Sequence, residues 1–441
     1  MSKAQKVAVN AGASARSRTV PTTRNRAQVL VAGSILQLFL GILYVWSVFV
    51  APVSELHGWD PAAVKLTSSY MLCCFAVGIL LGGKLQVKIG TTKVALMGGL
   101  ALAVGMLVAS IAPDGAIWLL YAGYGVIGGL GVGMGYNASL TSAQRAWPEK
   151  RGLAIGISVG AFGAAAVVFA PLVESMVGAI GLNLSLRILA AAFALVTVLL
   201  ARWIVLLDAP APAAAAQAAV KTADGAADAA PVPAAAPRQY TTMQMLGTAS
   251  CWCIMPSLML GIACYFVLNP SFKSLALERG LAAPMGTALV MVAGVANALG
   301  RLGVPALSDR LGRRAAAVLI GALTAASAGI LIFAQGWLFL GIVAVVAFCY
   351  GGYSGVYPLL VGEAFGYDNI GANWGAVMSG FAVSALITPM LIALIPNQMV
   401  VFVVLAVMAI VSGLLIIIMP KQPGMRRARK TETLPRAPEA A

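Results

Sequence analysis

Apolar residues run through this chain in long stretches, and polar residues gather in short clusters between them. Windows of about twenty apolar residues, enough to cross a hydrocarbon core of ~30 Å, recur along its whole length. In the first half they lie near 27–50, 62–83, 93–112, 116–141, 152–174 and 185–207. In the second half they lie near 245–269, 284–307, 315–334, 337–361, 371–395 and 398–419. The stretches are rich in glycine and show no alternation of period two, which predicts helices rather than the strands of an outer-membrane barrel. The expected fold class is an all-α membrane protein of twelve transmembrane helices.

A polar break divides the spans six and six. Residues 208–241 are rich in Ala and Pro with few large apolar groups, so they bury too little surface to order themselves and read as a cytoplasmic linker. Bundles are therefore expected at 27–207 and 242–420. Residues 1–26 are basic and rich in Ser, Thr and Ala without an apolar core, which reads as a disordered cytoplasmic tail. A transit peptide is the lesser alternative. Residues 421–441 form a second basic tail. The halves also echo one another. Gly152, Gly156 and Phe162 return as Gly371, Gly375 and Phe381 at a constant offset of 219. Lys88 and Gly90 return as Arg310 and Gly312 at an offset of 222. Duplicated six-helix units of this kind place a substrate between two bundles near the middle of the membrane.

Composition agrees with this class. Of 441 residues 60% are hydrophobic and 10% charged, with a mean hydropathy of +0.92, far too few charges for the surface of a soluble domain of that size. The net charge of +15 raises the question of nucleic acid, and its placement answers it. With both termini cytoplasmic, 24 of the 29 Lys and Arg fall in the tails, the inward loops or their margins. Only Lys65, Arg187, Lys273 and Arg279 face outward. This is the positive-inside asymmetry, and the basic tails read as topology signals and contacts to anionic membrane lipids. The six cysteines fall in or at spans without metal-ligand spacing and read as small buried hydrophobes. No metal or cofactor is expected. His57, the only histidine, is expected to be solvated in the first outward loop.

One charge does not fit the pattern. Arg301 lies inside the eighth span, about 12 Å above Asp309 at 1.5 Å per residue. An arginine there costs on the order of 2.5–3.5 kcal/mol on insertion scales, and such residues usually face a cavity. Gly294, Asn297, Arg301, Pro305 and Ser308 share one small and polar helical face. The bland alternative is a packing arginine held by backbone carbonyls or by Asp309. The functional reading is favoured because the span interiors hold no Asp, Glu or His to serve as a permanent partner. The planar fork of a lone guanidinium matches a carboxylate. Gln37 and Tyr44 in the first span, Tyr136 in the fourth, and Tyr350, Tyr353 and Tyr357 in the tenth are further lining candidates, each as well explained by helix packing. Tyr136 and Tyr357 are repeat counterparts at an offset of 221. The glycine runs Gly125, Gly129, Gly133 and Gly131, Gly135 are expected to let helices approach closely. Asn373 and Trp374 sit at the inner start of the eleventh span as a gate or an interfacial anchor. Glu174 is expected near the outer surface.

The loop "SDRLGRR" (308–314) resembles the Asp-Arg-x-Gly-Arg-Arg loop of the major facilitator superfamily. The first-half copy, "GKLQVKIGTTK" (83–93), departs from it, with Val87 where the acid falls. Within the superfamily the chain resembles the oxalate/formate antiporter branch, close to the monocarboxylate porters. The resemblance rests on "LYVWSVFVAP" (43–52), "AWPEKRGLAIG" (146–156), "MLGTASCWCI" (245–254), "NALGR" (297–301) and "FGYDNIGANWG" (365–375). It implies that Arg301 binds the substrate carboxylate. It also implies that Asp309, Arg310, Arg313 and Arg314, with Arg151 and Trp374, act in gating. Asp309 is expected to pair across the cytoplasmic gap. Oxalate carriers of the branch set a lysine in helix 11 opposite the arginine, and aligning on "NWG" puts Phe381 there. A dianion facing one buried cation leaves a charge uncompensated.

The expectation is therefore a secondary transporter of a small monocarboxylate such as lactate, pyruvate or formate, coupled to a proton, with Glu174 a candidate, or to a counter-anion. An oxalate/formate exchanger is the nearer alternative, and a membrane sensor or scaffold the more distant one. No nucleophile–base pair or phosphate loop argues for an enzyme. A bacterial inner membrane is the expected location.

Overall fold

The computed structural model describes residues 23–147, 151–204, 239–366 and 369–420. Among them are twelve helices long and apolar enough to cross a membrane. The first six are α1 (Arg26–His57), α2 (Pro61–Gln86), α3 (Thr91–Ala109), α4 (Ile117–Ala146), α5 (Leu153–Ile180) and α6 (Leu182–Ile204). The second six are α7 (Ala249–Glu278), α8 (Ala283–Leu311), α9 (Arg313–Leu331), α10 (Gly336–Phe365), α11 (Ile370–Ile392) and α12 (Gln398–Ile418). Most of the expected linker and both tails fall outside the described residues, as do residues 148–150 and 367–368 of the matched motifs.

Local chemistry sets several boundaries. Asp60 caps α2 by accepting from the Ala62 amide, and Pro61 occupies the first turn where a missing N–H costs nothing. The turn after α2 and the turn after α8 are built alike: Gly90 has φ 87° and ψ 156°, Gly312 φ 89° and ψ 148°. A side chain at either position would strain that positive-φ backbone. The sequence echo at offset 222 is thus an echo of backbone geometry.

Two helices run furthest past the ends of their apolar windows. α1 continues to His57 and α7 to Glu278, and each is interrupted inside the membrane. α1 tightens to a 3₁₀ turn over Gly41–Val45. α7 breaks at Ile262 and tightens again over Asn269–Ser271. Such stretches commonly mark hinges or functional positions.

Glycine governs how closely the helices approach. A Cβ on Gly133 of α4 would collide with the Phe75 carbonyl of α2. α8 is squeezed from both sides: Gly163 of α5 lies against the Ala298 backbone, and Gly351 of α10 against the Asn297 carbonyl. The halves meet along α5–α8 and along α2–α11, where Gly375 faces Leu80. α12 shows the lipid side of the molecule, with Val403, Val407, Ile410, Leu414 and Ile417 exposed on one face. A helix apolar on its exposed face as well as its buried one belongs in hydrocarbon.

His57 corrects an expectation. Its side chain is only 6% exposed and its Nδ1 lies 2.9 Å from Asp114 Oδ1. Its ring stacks on Trp59 with centroids 4.3 Å apart, and the Trp59 indole donates to the Asp114 carbonyl. The first outward loop is stapled to the second rather than solvated.

Candidate substrate site

Arg301 is 3% exposed. Its Nε donates to Asn297 Oδ1 at 2.9 Å, one turn back on α8. Its Nη2 donates to the Tyr44 hydroxyl at 2.7 Å, across the gap between the halves. The guanidinium carbon lies 5.4 Å from the Phe162 ring centroid, 5.8 Å from that of Tyr350 and 5.9 Å from that of Tyr44. No carboxylate among the described residues ion-pairs with it. It therefore keeps a full charge, held by two neutral oxygens and by the negative faces of aromatic rings. Glycine makes the burial possible, because Gly163 leaves room against the Arg301 Cδ.

A cavity borders the guanidinium. α2 contributes Phe75 and Ile79, α4 Tyr136, α7 Leu258, α10 Tyr350 and Ser354, and α11 Trp374, Met378 and Phe381. Arg301 is the one basic residue on its wall among the described residues. The space open to the centre of a water molecule is about 20 Å³, little more than one water. On the outward side an aromatic layer covers it. Tyr265 and Tyr350 stack at 4.0 Å with an interplanar angle of 3°, and the Tyr44 and Tyr350 hydroxyls lie 3.0 Å apart. Beyond that layer the halves are tied by Lys273 Nζ to Glu174 Oε1 at 2.6 Å and Lys65 Nζ to Ser274 Oγ at 3.4 Å.

The sequence candidates divide. Arg301, Tyr136 and Phe381 border the cavity, Tyr44 and Asn297 hold the guanidinium, and Trp374, expected as a gate, stands in the cavity wall. Tyr353 and Tyr357 do not reach it. One and two turns beyond Tyr350, their face of α10 is covered by α7 and α12: Tyr353 abuts Gly261, and the Tyr357 hydroxyl lies 2.6 Å from Ser257 Oγ. Gln37 is also turned away, its Nε2 donating to the Tyr136 carbonyl. Among the buried amide atoms without a hydrogen-bond partner in the described residues are Gln37 Oε1 and, beside the guanidinium, Asn297 Nδ2.

Asp309 does not bridge the cytoplasmic gap. It pairs with Arg313 at 2.5 Å, one turn on, and Arg313 Nε reaches Glu363 Oε1 of α10 at 3.1 Å. The ion pairs stay inside the C-terminal half because the turn at Gly312 folds α9 back beside α8 and α10. Arg310 is exposed, and Arg314 donates to the Met419 carbonyl. The Arg151 side chain lies outside the described residues. Glu363 and Tyr265 are missing from the sequence candidates. Tyr265 had a signal, since it stands at an offset of 221 from Tyr44, the same offset that relates Tyr136 to Tyr357.

Comparison with known proteins identifies the family. The family model described as Major Facilitator Superfamily matches residues 30–389 and 254–440. The chain belongs to the major facilitator superfamily. Its members are transporters rather than enzymes, and the chain shares their twelve-helix, two-bundle architecture as a multi-pass membrane protein. It is 26% identical over 369 residues, 82% of this chain and 86% of the other, to the "Uncharacterized MFS-type transporter YhjX" of Escherichia coli (strain K12). It is 28% identical to monocarboxylate transporter 13 of Rattus norvegicus over 36% of this chain and 37% of that one. The oxalate:formate antiporter of Oxalobacter formigenes is 29% identical over 34% of this chain and 36% of its own. A solved structure described as the partially occluded inward open conformation of the xylose transporter XylE from E. coli superposes with a TM-score of 0.65 at 14% identity. It covers 89% of this chain and 97% of its own, and speaks for the fold alone.

Proposed function

We propose that this superfamily member is a secondary carrier of a small monocarboxylate of the lactate, pyruvate or formate type, working by alternating access in a bacterial inner membrane. The observation that carries the reading is Arg301: a buried guanidinium which, among the described residues, has no carboxylate partner and no second basic group on its cavity wall. A monoanion is neutralised there, whereas a dianion keeps one charge in a low-dielectric site. Phe381, standing where a second cation would serve a dianion, adds an apolar wall instead. In the bound state Arg301 takes the carboxylate as a fork, and Asn297 Nδ2 supplies a further donor. Tyr44 and Tyr136 orient the ligand.

The same site supports coupling in two ways. An empty positive site resists crossing the membrane until an anion neutralises it, which gives exchange. Proton symport needs an acid, and Glu174 fits that role at the outer closure, where its protonation would free Lys273.

Uptake into proteoliposomes tests the reading. Labelled lactate, pyruvate, formate and oxalate are compared with and without a pH gradient and with and without internal anion. Saturable monocarboxylate uptake with little oxalate uptake is expected. A pH-gradient requirement identifies symport, and a requirement for internal anion identifies exchange. Strong oxalate transport without monocarboxylate transport would overturn the reading in favour of an oxalate exchanger.

A further inference from the structure

A second site lies on the outside of the C-terminal half, unconnected with the carrier site. A groove of about 480 Å³ runs between α9 and α12. α9 lines it with Ala315, Val318, Leu319 and Ala322, an i, i+3, i+4, i+7 face, and α12 with Ile416 and Ile417. From the end at Arg314 to Ala322 the groove spans eight residues, about 12 Å at 1.5 Å per residue. That is close to the ~15 Å depth of one hydrocarbon leaflet.

Arg314 closes the groove at its cytoplasmic end. Its charge differs from its neighbour's in having no acid partner among the described residues. Arg313 is engaged with Asp309 and Glu363. Arg314 donates only to the Met419 and Pro420 carbonyls, and its Nε is buried without a hydrogen-bond partner among the described residues. The first turn of α9 adds to the positive potential, since its N-cap is Gly312 and no side chain caps it. A shallow apolar groove nearly as long as a leaflet is deep, with a cation that has no acid partner among the described residues at the headgroup level, matches an amphiphile with an anionic head. The following chain segment is a poor occupant. Residues 421–441 carry Lys421, Arg426, Arg427, Arg429, Lys430 and Arg436 against Glu432 and Glu439, and would bring like charge to Arg314.

We propose that this groove binds one anionic glycerophospholipid of the cytoplasmic leaflet, its phosphate on Arg314 and one acyl chain along Ala315 to Ala322. Two features are needed together, the charge and the channel.

Native mass spectrometry of the full chain in detergent tests this. The protein is titrated with phosphatidylglycerol, with phosphatidylcholine of the same acyl chains, and with glycerol 3-phosphate as a headgroup lacking chains. The wild type is expected to bind phosphatidylglycerol about fivefold better than phosphatidylcholine, the change that one basic residue at an anionic interface supplies. Arg314→Gln abolishes that preference, and Arg314→Lys keeps most of it. Ala322→Phe fills the channel, leaves the guanidinium in place and weakens phosphatidylglycerol binding by a similar factor. Thermal unfolding of each variant at the wild-type temperature shows that these losses are local. Undiminished binding in either Arg314→Gln or Ala322→Phe overturns the proposal. So does glycerol 3-phosphate binding as well as the lipid, or a protein dimer that Ala322→Phe dissociates.

Discussion

A guanidinium satisfied by neutral oxygens and ring faces is held in place without being neutralised, and that distinguishes Arg301 from a structural ion pair. Its hydrogen bonds to Asn297 and Tyr44 aim the fork, and the geometry matters as much as the charge. Arg301→Gln, which removes the charge, is expected to lower monocarboxylate uptake at least about thirtyfold, the lower end of what losing one partner of a buried charge pair costs. Arg301→Lys keeps the charge but loses the bidentate fork, and is expected to raise KM more than it lowers the maximal rate. Initial rates in proteoliposomes, at matched protein content, check both. Arg301 was legible from sequence because a charge in a hydrophobic span is conspicuous and expensive. Tyr357 and Gln37, which the structure turns away from the cavity, were hard to place for the opposite reason. A phenol or amide in a membrane helix satisfies itself equally well against Ser257 or a neighbouring carbonyl, and nothing in its own position says which partner it meets. Asn297 Nδ2 shows the residue scale at its finest, a buried donor left open beside the charge, visible only once the Arg301 bond fixes which way the amide points.

The repeat is written in helices more deeply than in residues. Tyr44 and Tyr265 are counterparts, each beside an interruption in the first helix of its half, Gly41–Val45 in one and Ile262 in the other. Their rings meet edge to face at 6.0 Å, so the pseudo-symmetry axis brings the two broken helices together above Arg301. Helix count, the six–six division and the matching turns at Gly90 and Gly312 follow from hydropathy and spacing, which are local signals. The interruptions do not, because apolar residues fill a 3₁₀ turn and an α-turn alike. Gly41 is where the interrupted α1 presses on α5, and any Cβ there meets the Phe162 carbonyl. Gly41→Val is therefore expected to destabilise the protein by about 1–3 kcal/mol, the usual cost of overpacking, because a backbone oxygen gives way less readily than a side chain. A lowered thermal unfolding temperature in detergent checks this, with the exposed Gly178, which has open space around it, as the control for an added side chain.

At the scale of the whole molecule, the central cavity is narrow. The halves are joined on the outer side by an aromatic layer and by the Lys273–Glu174 pair, while α2 and α11 stay packed at Leu80 and Gly375. A cavity with room for little more than one water admits a carboxylate only after the halves rearrange, so the outer contacts bear on the balance between states as well as on stability. The inner ion pairs sit within one half, leaving Lys273–Glu174 as the charged contact between halves among the described residues. Glu174 is 45% exposed at its side chain, and a pair so placed is worth only about 0.2–1 kcal/mol. The weakness suits a gate that must open in every cycle. Reversing Lys273 to Glu sets two carboxylates against each other and favours the outward-open state. A cysteine introduced at Ser354 in the cavity wall is then expected to react about two- to fivefold faster with a membrane-impermeant maleimide added outside. Glu174→Lys alone gives the same shift through two ammonium groups, and the double reversal returns labelling toward the wild-type rate. High salt narrows the difference, since exposed charges are screened. Equal labelling in all four proteins would remove this pair from the gate and leave the outer closure to the aromatic layer.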